Sequence, residues 1–159
     1  HYLGEDRPHP DAAVLSAPPV SPEGPTALGL AIQVLGRVAP KVSFPNPFEG
    51  DQLSRDESVG DAYFADPLVY TKTTAGMAYQ TFFVAQRRGL EVIKSISTPT
   101  LVIHGADDTL NVPCASAPLA AVDSVERKVY PGLRHEMHNE PEQAQVLAEV
   151  AAWLDAALS

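Results

Sequence analysis

Two short loops carry the side chains of this sequence that are best suited to chemistry. His104-Gly-Ala-Asp107-Asp108 follows an apolar, β-branched run, and Gly132-Leu-Arg-His135 follows a second short stretch, Arg127-Lys-Val-Tyr130. If the two runs are neighbouring parallel strands, their carboxyl ends lie at the same edge of a sheet, where α/β proteins bind ligands. A carboxylate followed by a histidine, in that chain order, matches the last two members of a Ser-Asp-His triad.

In such a pair, His135 would act as a general base. The carboxylate would accept its Nδ1 proton, fix its tautomer and stabilise the imidazolium, and the near-neutral pKa of histidine suits proton transfer. Because Asp107 and Asp108 are adjacent, only one of them can face the histidine. His104, at a strand end, is expected to be structural. On these residues alone, a pair of ordinary solvated loop side chains fits equally well.

The segments around the two loops are typical of an α/β fold. Apolar runs predict strands at 12–17 and 99–104, and a third, short strand is predicted at 127–130. A helix is predicted over 76–96, and a weaker helical stretch, which contains Pro118, over 114–122. Asn139 is expected to cap a long amphipathic helix that packs on the sheet. Strands and helices in alternation predict right-handed crossovers and a parallel sheet.

The stretch from 21 to 75 has a different character. A stripe of apolar residues predicts a helix at 27–38, a second short helix is expected at 57–64, and a loop rich in Pro and Phe lies between them. No strand alternation is visible, so we expect an irregular helical insertion. The chain is therefore divided into core at 1–20, an insertion at 21–75 and core at 76–159.

Composition excludes several classes of function. The 159 residues include 20 acidic and 11 basic side chains, for a formal charge of −9. This charge disfavours nucleic acid as a partner and a polybasic contact with anionic lipid. The single Cys114, which we expect to be buried, rules out an internal disulfide and a Cys-ligated zinc site. His135 and His138 have no further ligand motif beside them, so we expect no metal.

Three longer segments of the sequence make a more specific pattern. They are Thr98-Pro-Thr-Leu-Val-Ile-His-Gly-Ala-Asp-Asp108, Val129-Tyr-Pro-Gly-Leu-Arg-His-Glu136 and Asn139-Glu-Pro-Glu142. They resemble the C-terminal half of the monoacylglycerol lipases, serine hydrolases of the α/β-hydrolase superfamily. Residues 14–18 are similar to the strand after the nucleophile helix of that family, and residues 53–56 and 62–68 are similar to its cap. The resemblance extends from residue 7 to residue 155.

The resemblance implies the C-terminal part of an α/β-hydrolase fold: a mostly parallel sheet with flanking helices and a helical cap at 21–75. It assigns the triad carboxylate to Asp108, because that residue ends His-Gly-x-x-Asp, and the base to His135. Tyr63 and His138 match positions that line the glycerol end of the pocket in some relatives. A surface position near a helix start is the alternative for His138.

The resemblance also gives the predicted cap a role. The apolar face of residues 27–38, with Phe44 and Phe48, would form an acyl tunnel or touch a lipid surface. Packing on the core is an equally good interpretation of these residues. A stripe this short, without basic flanks, binds a lipid interface only weakly.

The nucleophile of the family, the Ser of Gly-x-Ser-x-Gly, has no counterpart in these 159 residues. The resemblance places it upstream of His1, together with the N-terminal strands and the oxyanion-hole loop, so we expect this chain alone to be inactive. The implied activity is hydrolysis of monoacylglycerol to fatty acid and glycerol, without a cofactor. A lysophospholipase, an epoxide hydrolase, a dehalogenase and a non-catalytic hydrolase-like binding protein remain alternatives. We expect a cytoplasmic or peripherally membrane-associated protein.

Overall fold

A computed structural model describes residues 1–20, 27–46 and 48–159. The strands in these ranges are β1 (Ala13–Ser16), β2 (Ser43–Pro45), β3 (Lys72–Thr74), β4 (Thr100–Gly105) and β5 (Val125–Tyr130). The α-helices are α1 (Ala27–Val38), α2 (Glu57–Ala65), α3 (Ala75–Tyr79), α4 (Gln86–Val92) and α5 (Gln143–Ala157). Short 3-10 turns lie at Tyr2–Gly4, Gly50–Gln52, Ile93–Ser95, Pro113–Ala121 and Met137–Asn139.

A parallel sheet of three strands forms the centre of the fold. β4 lies between β1 and β5, with Leu15 of β1 opposite Val102 and Val129 of β5 opposite His104. All six residues of β4 are buried, which is why its sequence is a continuous apolar run rather than an alternating one. The three predicted strands are confirmed, with bounds that differ by one or two residues.

Helices and turns cover both faces of this sheet. Leu101 and Ile103 of β4 pack with Val146 of α5 in one hydrophobic cluster, whereas Val102 packs with Leu119 in another. Because successive side chains of a strand point to opposite faces, the two clusters lie on opposite sides of the sheet. Each buried aliphatic side chain stabilises the fold by about 1.5–3 kcal/mol. The predicted α/β architecture is therefore confirmed.

The segment at 21–75 is mainly helical, as expected. Residues 21–26 and 47 lie outside the described residues, and α1 and α2 occupy the positions predicted for two helices. The segment also holds two short strands that the sequence does not indicate, since β2 and β3 form an antiparallel pair with Phe44 opposite Thr73. Strands of three residues are too short to produce a visible alternation. The division into core, cap and core remains a prediction.

The helix predicted over 76–96 is present as α3 and α4, which are joined by a π-helical segment at Gln80–Ala85. α1 packs closely on α3, since a Cβ added at Gly36 would lie 2.3 Å from the Cβ of Tyr79. Across the described ranges, no helix has the length and apolar character needed to cross a bilayer.

Two local expectations are wrong. α5 begins at Gln143 rather than after Asn139, which instead ends a 3-10 turn and donates a hydrogen bond from Nδ2 to Glu136 Oε2 at 2.7 Å. Cys114 is exposed rather than buried, because the segment Pro113–Ala121 is a 3-10 turn without a continuous apolar face.

Candidate active site

The carboxyl ends of β4 and β5 bring the two predicted loops into direct contact. The backbone amides of Ala106 and Asp107 donate hydrogen bonds to the carbonyl oxygens of Tyr130 and Leu133, each at 2.9 Å. Gly105 allows this approach, because a Cβ atom at residue 105 would lie 2.3 Å from Leu133 O and even closer to Arg134 O. The loop that follows β5 and carries His135, called the histidine loop below, packs so closely that this position of His-Gly-x-x-Asp must be glycine.

Asp108 and His135 form a hydrogen-bonded pair at this contact. His135 Nδ1 lies 2.8 Å from Asp108 Oδ2. Asp108 is only 3% exposed, and its Oδ1 accepts hydrogen bonds from the backbone amides of Leu110 and Asn111, both at 2.9 Å. Because a carboxylate accepts the Nδ1 proton, the Nε2 atom of His135 is left to exchange a proton with a reacting group.

The surroundings of Asp108 favour its ionised form. Burial alone raises the pKa of this carboxyl, but hydrogen bonds from His104, His135 and the Asn111 amide outweigh burial and hold the pKa well below its usual range. An ionised Asp108 is the form that orients a histidine and stabilises its protonated ring.

His104 supports the same carboxylate from the other side. Its side chain is fully buried, and its Nε2 atom lies 2.6 Å from Asn111 O and 3.3 Å from Asp108 Oδ2. A carbonyl oxygen only accepts hydrogen bonds, so Nε2 carries a proton. The Nδ1 atom faces the Ser116 hydroxyl at 2.8 Å, and that hydroxyl accepts a hydrogen bond from Arg127 Nε at 2.9 Å.

Asn111 links this network to β1, a role that no motif or spacing in the sequence indicates. Its side-chain amide donates a hydrogen bond to Ala17 O at 2.9 Å. Ala17 directly follows β1 and has a φ of 45°, in the left-handed region that is rare for residues other than glycine. The loop that carries Asp108 is thus attached to the ends of all three strands of the sheet.

The other candidate residues lie elsewhere in the structure. Asp107 is exposed, so Asp108 is the carboxylate that faces the histidine, as the resemblance implied. Tyr63, on α2, is half-buried in an aromatic cluster, with its ring centroid 5.7 Å from that of Phe48. His138 is exposed in the 3-10 turn after the histidine loop.

An apolar cavity of about 480 Å³ opens beside the loop that follows β4 and carries Asp108, called the acid loop below. Its walls come from α1, the β2–β3 region and the helix that begins at Ala75, and it reaches Thr109 and Leu110, which directly follow Asp108. Its main apolar lining residues are Leu28, Ile32, Phe44, Phe48, Met77 and Phe82. We expected the apolar face of residues 27–38, with Phe44 and Phe48, to form either an acyl tunnel or a contact with the core. Four of these residues line an open cavity instead of the core: Leu28, Ile32, Phe44 and Phe48.

The fold and the arrangement of these loops define an α/β-hydrolase. Residues 1–142 match the family described as serine aminopeptidase, S33, and the chain belongs to that family. A monoacylglycerol lipase of Mycolicibacterium smegmatis is 39% identical over 150 residues, covering 90% of this chain and 52% of that protein. The chain therefore spans about half the length of this relative.

Solved structures agree with this assignment. The monoacylglycerol lipase of Paleococcus ferrophilus superposes with a TM-score of 0.80 at 25% identity, covering 92% of this chain and 59% of that one. A soluble variant of the Saccharomyces cerevisiae monoglyceride lipase, in complex with a substrate analogue, superposes with a TM-score of 0.74 at 21% identity. The match covers 91% of this chain and 55% of that one. The predicted fold class and the predicted resemblance are both confirmed.

Proposed function

We propose that this chain is the acid-and-base half of a carboxylester hydrolase that cleaves monoacylglycerol to fatty acid and glycerol. The observation that carries the proposal is the 2.8 Å hydrogen bond between His135 Nδ1 and Asp108 Oδ2 at neighbouring strand ends. Under this proposal the nucleophile is a serine in a Gly-x-Ser-x-Gly motif that precedes these residues, a position that rests on the resemblance of residues 14–18 to the strand after the nucleophile helix.

The position of β1 supports an upstream nucleophile. β1 lies at one edge of the three-stranded sheet that the structure describes. A preceding strand paired in parallel with β1 would place its own carboxyl end beside the loops that carry Asp108 and His135. In α/β-hydrolases the nucleophile stands on the turn at such a strand end.

The reaction then follows from the arrangement of the pair. The serine hydroxyl attacks the ester carbonyl while His135 Nε2 takes its proton, and the same atom returns the proton to the departing glycerol oxygen. Water, deprotonated by Nε2, next attacks the acyl-enzyme, which releases the fatty acid and restores the serine. Asp108 remains ionised throughout, which its lowered pKa favours.

The substrate class is supported by the cavity and by the relatives. A single acyl chain suits the apolar cavity of about 480 Å³, which is lined in part by Thr109 and Leu110, the residues after Asp108. Two similar proteins are named monoacylglycerol lipases. Tyr63 and His138 are proposed to contact the glycerol end of the substrate, a role that rests on the resemblance.

A transient contact between the cap and a lipid surface is part of the same proposal. Leu30, Val34 and Val38 of α1 are 57%, 59% and 73% exposed. Exposed apolar side chains on one helix provide a weak interfacial anchor. We accordingly propose a cytoplasmic or peripherally membrane-associated protein.

The decisive test is a His135→Ala substitution in the full-length protein. We expect ester turnover and reaction with a fluorophosphonate probe to fall by at least about 10³-fold, because the serine loses its base. His9→Ala is the control, since His9 Nε2 bonds within the N-terminal segment, to Glu5 O at 2.8 Å. Undiminished labelling of the His135 variant, or ester turnover by the 159-residue chain alone, would contradict the proposal.

A further inference from the structure

Glu140 is a fully buried carboxylate that the proposed reaction does not use. An ionised group at such a site is costly unless hydrogen bonds and opposite charge compensate for the lost water. Its position, five residues after His135, places it at the end of the histidine loop. The residues that compensate its charge therefore indicate what this carboxylate holds in place.

Each hydrogen bond that the structure describes for the Glu140 carboxylate comes from a donor. Oε1 accepts from the backbone amide of Arg134, the residue directly before the histidine, at 2.6 Å. Oε2 accepts from the backbone amide of Arg55 at 3.1 Å, from its Nε at 3.0 Å and from the Ser54 hydroxyl at 3.4 Å. One side chain thus joins the histidine loop to residues 54 and 55 of the predicted cap.

Neighbouring bonds strengthen the same junction. The Glu136 amide donates to Leu53 O at 2.8 Å, and the Ser54 hydroxyl also bonds to Asn139 O at 2.9 Å. On the other side, Gln52 Nε2 donates to Thr109 Oγ1 of the acid loop at 3.0 Å. Residues 52–55 therefore contact both the loop that carries His135 and the loop that carries Asp108.

We propose that Glu140 is a positioning residue that fixes the His135 ring against Asp108 and couples the ring to residues 52–55. The inference rests on the proposed function. A carboxylate is needed because both oxygens must accept hydrogen bonds. In a glutamine, the amide nitrogen would face either the Arg134 amide or Arg55, and both are donors, so one of the two connections is lost in either orientation.

The test compares Glu140→Gln with Glu142→Gln in the full-length protein. Glu142 pairs with the same Arg55 guanidinium, but its side chain is 43% exposed. The concentration of competent sites is counted from the endpoint of fluorophosphonate labelling, and kcat, KM and the pH profile of kcat are measured per competent site. We expect Glu140→Gln to lower kcat about tenfold or more, with a smaller change in KM and a displaced acidic limb of the profile. Glu142→Gln should stay within about twofold of the wild type.

Other outcomes separate positioning from folding. A purely structural role would lower the number of competent sites while leaving kcat per site unchanged, and that result would overturn the inference. If Glu140→Gln does not fold, Glu140→Asp keeps the charge but is too short to reach Arg134 and Arg55 together. We expect that variant to lower kcat at least about threefold, and an unchanged kcat would again overturn the inference.

A readout that does not need turnover distinguishes this inference from the proposed function. The downfield proton NMR resonance of the His135 Nδ1–H reports its hydrogen bond to Asp108. We expect it in the wild type and in Glu142→Gln, and shifted or broadened in Glu140→Gln. An inactive wild type would contradict the proposed function, whereas an unchanged resonance in a folded Glu140→Gln would contradict the positioning role alone.

Discussion

Replacement of Gly105 by alanine should separate the two loops that form the candidate site. The added Cβ would lie 2.2 Å from Arg134 O and 2.3 Å from Leu133 O, and both atoms belong to the backbone. Cβ atoms in proteins essentially never lie within 3.0 Å of such an atom. The histidine loop must therefore move by about 1 Å, because no flexible side chain is available to give way.

The expected magnitudes follow from this displacement. A shift of about 1 Å stretches the 2.9 Å bond from the Asp107 amide to Leu133 O and the 2.8 Å bond between His135 and Asp108 beyond the hydrogen-bond range. Overpacking and the lost bonds should lower the free energy of unfolding by about 2–4 kcal/mol. A misplacement of this size should lower kcat by about 100-fold.

Gly132→Ala provides a matched control in the histidine loop. Gly132 has a φ of 76°, and a Cβ there would meet no atom within 4 Å. Its substitution should cost about 1–2 kcal/mol through backbone strain, without moving the loops apart, and should change kcat by less than about threefold. Chemical denaturation and initial rates of monoacylglycerol hydrolysis by the full-length protein measure both effects. If the two variants behave alike in stability and in kcat, the close-packing argument is refuted.

Two further predictions concern the cavity and the acid. Ile32→Trp should narrow the cavity and lower kcat/KM for long-chain monoacylglycerols about tenfold relative to short-chain esters. Ala31→Trp, at an exposed position of the same helix outside the cavity, should not have this effect, and an equal loss at every chain length would count against the cavity as the acyl site. Because the folded pKa of Asp108 is lowered, its ionised form stabilises the fold above the unfolded pKa of about 3.9, and this stabilisation is lost as the pH falls. Between about pH 4 and pH 2, the free energy of unfolding should therefore decrease less steeply in Asp108→Asn than in the wild type. Equal slopes in the variant and the wild type would disprove this linkage.

The candidate pair was predictable because both residues directly follow strands with clear sequence signals. The buried run that forms β4 and the partly buried strand β5 fix where the loops begin, and parallel strands place their carboxyl ends together. The choice of Asp108 over Asp107 came from the resemblance, since adjacent carboxylates give no signal of their own. The structure shows the physical difference: Asp108 is buried among donors, and Asp107 is exposed.

The residues around the pair were not predictable, because their partners are far away in sequence. Ser54 and Arg55 reach Glu140 across a separation of 85 or 86 residues, and Asn111 reaches Ala17 across 94. No periodicity or spacing reports contacts of this kind. A helix capped by Asn139 would include Glu140 in its first turn. The Glu140 side chain is instead buried and accepts a hydrogen bond from the Arg134 amide of the histidine loop.

The orientation of His135 is set within this chain, by one bond to its ring and two contacts to the residues before it. Its Nδ1 bonds to Asp108, Gly105 lets its loop pack against the acid loop, and Glu140 holds the amide of the residue before it. Preorganised groups accelerate a reaction because they need no rearrangement when charge develops. Under the proposed function, an upstream serine would thus meet a base that is already aligned, and the remaining requirement is the placement of the serine itself. The His135 resonance should consequently be the same in a full-length protein whose nucleophile is replaced by alanine, and its loss there would show that the serine, rather than this chain, aligns the histidine.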